Sequence, residues 1–185
     1  LILSAVLFSL IGSGVLSLAS LKRPGKAIDR ISDGIIFTGT ALPPFLIGVL
    51  LLFLFYTLVH IAPPPLGRIA ADIDFSRLTG LLVLDGLVKG RLDVLISALS
   101  HLLLPTIAIG FSLFPQLLRV IKETGRRAIE NPAARAAWMA GVRGIRYWVR
   151  YIFSLTAVPV LSLIAGSFGY LIGGVVVIEV IFSWN

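Results

Sequence analysis

The sequence predicts an all-α, polytopic membrane domain. Three observations carry that prediction. Hydrophobic residues make up 57% of the 185 residues and charged residues only 14%, against about 45–50% and about 25% in soluble domains. The mean hydropathy is +1.00. This much apolar side chain exceeds what a soluble core of this length buries. The apolar residues are also gathered into four charge-free runs, Leu1–Leu21, Gly34–Gly67, Val94–Leu118 and Tyr151–Ile178, of 21, 34, 25 and 28 residues.

A spanning helix needs roughly 20 mainly apolar residues. Each run is long enough for one span and too short for two with a turn between them. The expected spans are residues 1–21, 35–61, 97–119 and 152–178. The second ends before Pro63-Pro64-Pro65, which cannot continue a helix. Pro43-Pro44, Pro105, Pro115 and Pro159 fall inside runs, where neighbours can satisfy freed carbonyls. They are expected to kink helices, and Pro115 to add a break to the third span. No basic residues precede the first run, so it does not read as a signal peptide. The chain is expected to be a piece of a longer protein.

Charge gives the orientation. Ser20–Asp33 carries Lys22, Arg23, Lys26 and Arg30 against Asp29 and Asp33, a net of +2. Arg119–Arg150 carries eight basic residues against Glu123 and Glu130, a net of +6. Residues 62–93 balance at zero. Basic loops stay in the cytoplasm, so the first and third connections lie inside and the triple-proline loop outside. That outer loop alternates apolar and charged residues, as in Asp72-Ile73-Asp74-Phe75, and is expected to form short helices against the outer face. The positive charge sits where topology requires it, and no aromatic-interleaved basic groove points to nucleic acid.

The inner loop reads as structured. Residues 119–127 extend the third span as an amphipathic helix. Asn131-Pro132 then suits a cap and first turn, Ala133–Met139 are good helix formers, and Gly141 and Gly144 end or bend the segment. A short helix at about 132–144 is expected along the inner membrane surface. Small Ala134, Ala136 and Ala137 allow another surface close, and Trp138, Tyr147 and Trp148 suit the interface. From these residues alone, an interfacial helix with no partner is an equal alternative.

Arg135-Ala136-Ala137, then Gly141, then Ala157-Val158-Pro159 eighteen residues after the glycine, resembles the EAA loop of ATP-binding-cassette importer permeases. Arginine in the first position is similar to the dipeptide, oligopeptide and nickel branch. Ser100-His101-Leu102-Leu103-Leu104-Pro105, Leu117-Leu118-Arg119-Val120 and Gly173–Ser183 resemble further elements of that branch, in order. Trp138 and Ala140 depart from its basic loop residues, and Tyr151 from its common histidine. The resemblance implies the central four of about six spans. It implies that Arg135, Ala136, Ala137, Gly141 and Pro159 belong to the element that docks on an ATPase dimer. It also implies a second permease subunit, an extracytoplasmic solute-binding protein and a bacterial or archaeal plasma membrane.

The rest of the chain agrees with a transport subunit. It has no Gly-x-x-x-x-Gly-Lys-Ser/Thr phosphate loop, so ATP hydrolysis belongs to another subunit. It has no cysteine, and His60 and His101 do not stand in a zinc spacing. No cofactor or metal is expected. Glu179, at the outer edge of the fourth span, and His101, at the outer end of the third, are candidates for the pathway or for holding the outer loop. His60, beside Tyr56, is expected to be an interfacial hydrogen-bonding residue. Gly166, Gly169, Gly173 and Gly174 form a small-residue stripe suited to packing on the partner permease. Two other classes remain as alternatives. A membrane-embedded enzyme needs clustered ionisable residues within the spans. A secondary carrier needs coupling-ion carboxylates near the midplane. The runs contain neither.

Overall fold

A computed structural model describes residues 1–71, 73, 75–76 and 79–184. The described residues are helical with connecting turns, and no strand occurs among them. Helix α1 is Ile2–Lys22, α2 Ala27–Gly39 and α3 Pro44–Leu51, which runs on as a π-helical segment Leu52–Leu58. Helix α4 is Leu82–Val88, α5 Leu92–Glu130, α6 Pro132–Met139 and α7 Gly144–Tyr147. A second π segment, Trp148–Phe153, joins α7 to α8, Ser154–Ile181. Three helices, Ile2–Lys22, Leu92–Glu130 and Gly144–Ile181, are long and apolar enough to cross a membrane, and α2 with α3 makes a fourth if that bent pair is one span.

The second span therefore differs from the single helix expected over 35–61. The chain breaks at Thr40–Pro43. Pro43 is extended at φ −70° and ψ 147°, and Pro44 starts α3. A residue before proline is driven out of the helical region, and Pro44 has no N–H to give to a continuing helix. In the last turn of α2 the Thr38 hydroxyl donates to Gly34 O at 2.8 Å, and Ile36 O accepts from both the Thr40 hydroxyl at 3.0 Å and Thr40 N at 3.4 Å. In contrast, α5 runs unbroken through Pro105 and Pro115 for 39 residues. Both prolines are fully buried, so neighbouring side chains enclose the backbone they leave unbonded.

Two compact units can be distinguished. The first comprises Leu1–Ala5, Leu42–Phe111 and Tyr170–Asn185. Helices pack closely at Gly48 of α3, where an added Cβ would lie 2.9 Å from Ile178 Cδ1 and 3.7 Å from the Ala108 methyl. Within residues 62–93 the described residues hold the short helix α4, steadied by buried Asp85, which accepts from Thr79 N at 2.9 Å and from the Thr79 hydroxyl at 2.5 Å. Of the alternating stretch, Asp72 and Asp74 lie outside the described residues.

The second unit comprises Val6–Ala41 and Ser112–Gly169. Here α1 meets α5 along a face of small residues. Ser9, Ser13 and Ser17 recur every fourth position and are fully buried, and Ser20 is 1% exposed. Four-residue spacing places them on one side of the helix. Ser17 Oγ donates to Leu118 O at 3.5 Å. An added Cβ at Gly12 would lie 2.7 Å from the Phe114 ring. Apolar side chains gain little by leaving lipid for protein, so helices in membranes associate through close backbone approach. The seam is built that way.

Ser13 tests this. Its replacement by alanine should leave the melting temperature of the full-length protein in detergent nearly unchanged. Replacement by leucine should force the helices apart and cost about 1–3 kcal/mol. Equal stability of Ser13→Leu and Ser13→Ala would contradict the seam.

Candidate functional site

The inner-loop helix is capped as its sequence suggests. Asn131 is extended at φ −60° and ψ 134°, its side chain accepts from Ala133 N at 2.9 Å, and Pro132 opens α6. At the other end Gly141 takes φ +85°. Gly141 N donates to Trp138 O at 3.1 Å and Val142 N to Ala137 O at 3.0 Å. This pair of bonds is a Schellman motif, whose left-handed residue strongly favours glycine. Gly141 is thus explained by local backbone geometry. Gly144, at φ +63°, turns the chain again into α7.

Three faces of α6 differ. Ala134 and Ala137 are 1% and 7% exposed. Ala134 joins Ala128, Tyr147 and Ile152 in a small core, with Val142 and Tyr151 packed on it. Ala133, Ala136 and Ala140 are exposed and share a second face by their spacing. Arg135, Trp138 and Met139, spaced i, i+3, i+4, share a third and border a groove with Tyr147 and Trp148. Trp138 meets Tyr147 edge-on at 5.1 Å between centroids. The Arg143 guanidinium lies over the Trp138 ring at 3.8 Å and also donates to Trp138 O and Val142 O. The expected site therefore divides. Arg135 and Ala136 are open, but Ala137 faces the chain's own core. Pro159 is not part of this cluster: it lies inside α8, beyond the π segment.

Next to the groove residues, an ion cluster joins α2 to the inner end of α5. Lys122 Nζ lies 2.7 Å from Asp29 Oδ1 and 2.6 Å from Asp33 Oδ1. Its side chain is 4% exposed, that of Asp29 8% and that of Asp33 61%. Asp29 also accepts from Ser20 Oγ at 2.5 Å, Gly25 N at 2.8 Å and Arg126 Nη2 at 3.2 Å. The sequence reading counted these residues only for topology. Their partners stand 93 and 89 positions apart, and no local pattern announces such a pairing.

The other two candidate residues lie in the first unit. His101 is 8% exposed, and its Nδ1 is 2.8 Å from Ser97 O. With the triple proline, Phe182 and Trp184, it lines a cavity of only about 10 Å³, room for about one water. Glu179 is half-buried near the end of α8, and its carbonyl accepts from Trp184 N at 2.8 Å. His60 is exposed, with φ +58° and Nδ1 3.1 Å from Leu58 O.

Residues 5–185 match the model of the family described as binding-protein-dependent transport system inner membrane component. The chain is similar to the dipeptide transport system permease protein DppB of Escherichia coli (strain K12), 27% identical over 177 residues, covering 94% of this chain and 52% of that protein. It is 26% identical to the probable D,D-dipeptide transport system permease protein DdpB of the same strain, over 97% of this chain and 53% of that one. The nickel import system permease protein NikB of Staphylococcus aureus is 24% identical over 97% of this chain and 45% of its own. The chain thus spans about half the length of the curated relatives it matches.

A buried ion pair broken on one side leaves an uncompensated charge. Lys122→Met in the full-length protein should cost about 3 kcal/mol in denaturant unfolding. Adding Asp29→Asn should recover part of that loss. Asp33→Asn, at an exposed carboxylate, should cost under about 1 kcal/mol. Strict additivity of Lys122→Met and Asp29→Asn would contradict the coupling.

Proposed function

The chain belongs to the family of binding-protein-dependent transport system inner membrane components, and from that premise we propose that it is part of a permease subunit of an ATP-driven importer for a peptide, nickel or similar small solute. It works in the plasma membrane, the inner membrane in bacteria, with a second permease, an ATPase dimer and an external solute-binding protein. The names of the relatives support the solute class. The absence of a phosphate loop supports a separate motor.

The observation that carries this reading is α6. It is a capped helix between two membrane-crossing helices, on the side the charges assign to the cytoplasm. It buries Ala134 and Ala137 and offers Ala133, Ala136 and Ala140 outward. An exposed face of methyl groups lets a groove of another protein approach to backbone distance. Ala134 packs with Ala128 of α5 and Ile152 of the segment leading to α8, so a push on α6 is delivered to both helices together. ATP-driven closure of the motor moves α6 as a lever, and packed helices reorient as rigid bodies. Pro159 stands where α8 takes up that motion. Glu179 and His101 serve the pathway or hold the outer loop.

Helix α8 is the seat for the second permease. Only 17% of the apolar stretch of Gly144–Ile181 is buried within the chain, against 50% for α5. An added Cβ at Gly166, Gly169, Gly173 or Gly174 meets nothing within 4 Å among the described residues. Such bare glycines on a spanning helix favour close packing by another helix.

The test is a photo-crosslinking amino acid at Ala136 in the full-length protein, expressed in its native host, with Ala137 as the comparison. Position 136 should give an adduct with an ATP-binding subunit, identified by mass spectrometry, and position 137 adducts within its own chain. Abundant, photoreactive protein yielding only lipid or self adducts at 136 would overturn the reading.

A further inference from the structure

The third face of α6 is occupied by neither the core nor the alanine surface. It borders a groove of about 590 Å³, within the range of about 300–1,000 Å³ for ligand sites. Leu21, Ile129 and Met139 give it apolar walls, and Trp138, Tyr147 and Trp148 give it aromatic ones. Its polar complement is cationic. Arg135 lines it. Lys22 Nζ stands 5.6 Å from the Trp148 ring centroid, and the Arg143 guanidinium covers Trp138. No acid is among its described lining residues.

We propose that this groove binds an anionic phospholipid of the inner leaflet, with acyl chains against Leu21, Ile129 and Met139 and phosphate among Lys22, Arg135 and Arg143. Two facts select a lipid over a protein segment. The groove is built at the inner ends of spans: Leu21 is in the last turn of α1, and Trp148 opens the segment leading into α8. That is the depth where tryptophan and tyrosine settle and acyl chain gives way to headgroup. The charge also matches, since the surrounding loop carries a net +6 and the cytoplasmic leaflet is anionic. A cationic rim over an apolar cleft fits a molecule that is negative at one end and hydrocarbon at the other. The lipid would steady α6 against α1 and leave Ala133, Ala136 and Ala140 free.

The inference rests on the inside orientation used above but needs no motor. Full-length protein would be placed in phosphatidylcholine nanodiscs doped with a phosphatidylglycerol carrying a diazirine in one acyl chain. After irradiation, adducts would be mapped by mass spectrometry. Adducts should concentrate on peptides holding Leu21, Ile129 and Met139, above the lipid-exposed residues Val158 and Leu161 of α8. Unlabelled phosphatidylglycerol should displace them and added phosphatidylcholine should not. Lys22→Gln, at an exposed position, should lower them about five-fold, the weight of one cation near an anionic surface. Uniform labelling, or equal competition by phosphatidylcholine, would overturn the site even if every variant failed to fold. Loss of the adducts when the ATPase subunit is added would show a protein-docking surface instead and also overturn it. Because labelling is measured on the permease alone, its failure leaves the cross-link at Ala136 standing, and the reverse holds too.

Discussion

Lys122 holds an ammonium group almost entirely out of water. Such a charge is costly unless opposite charges and hydrogen bonds surround it. Asp29 and Asp33 supply them from α2, and Asp29 is itself held by Ser20, Gly25 and Arg126. One basic residue thus fixes the turn after α1, the start of α2 and the inner end of α5 to each other. The position of α6 depends on that clamp. Only Asn131 stands between the end of α5 and the first residue of α6, so wherever α5 ends, α6 begins. An exchange of the whole cluster for apolar residues could be as stable.

The remaining packing follows the rules of a medium that offers no hydrophobic reward between helices. Close approach substitutes for it. Serines at every fourth position of α1 and glycines at 12 and 48 let neighbouring helices come near enough for dispersion contacts to accumulate. Where small residues face nothing among the described residues, as at the glycines of α8, the same logic points outward to another helix. Aromatic and basic side chains, Lys22, Trp138, Arg143, Tyr147 and Trp148, gather instead around α6 and α7, where a polar tip and an apolar body can both be satisfied.

Much of this was legible in the sequence. The long apolar helices follow from run length, a local sum: three are long and apolar enough to cross a membrane, or four with the bent pair. The cap at Asn131-Pro132 and the stop at Gly141 are short-range backbone chemistry and read directly. The serine period was visible but went unread, since hydropathy averages over it. The break before Pro44 shows the limit of a run-length argument. Gly34–Gly67 contains enough apolar residues for one span, yet two adjacent prolines decide where the helix must stop, while Pro105 and Pro115 sit inside an unbroken one. Burial does not separate the two cases, since Pro44 is buried as well. The break goes with the pair: Pro43 lacks an N–H and is held extended ahead of a second proline. Ala137 shows another limit. Composition makes it interchangeable with Ala136, and only the winding of α6 against Tyr147 and Ala128 turns one inward and leaves the other free. The Lys122 cluster joins residues some ninety positions apart and leaves no local trace.

The central claim is that energy enters through α6 from an ATP-hydrolysing partner. The most direct measurement is uptake of a radiolabelled solute, dialanine and nickel in parallel, by proteoliposomes holding the full-length protein with the second permease, ATPase and binding protein proposed for it. Uptake should require enclosed ATP and be indifferent to a pH gradient imposed without it. Uptake driven by the pH gradient in vesicles lacking both ATP and the ATPase would contradict the account and identify a proton-coupled carrier.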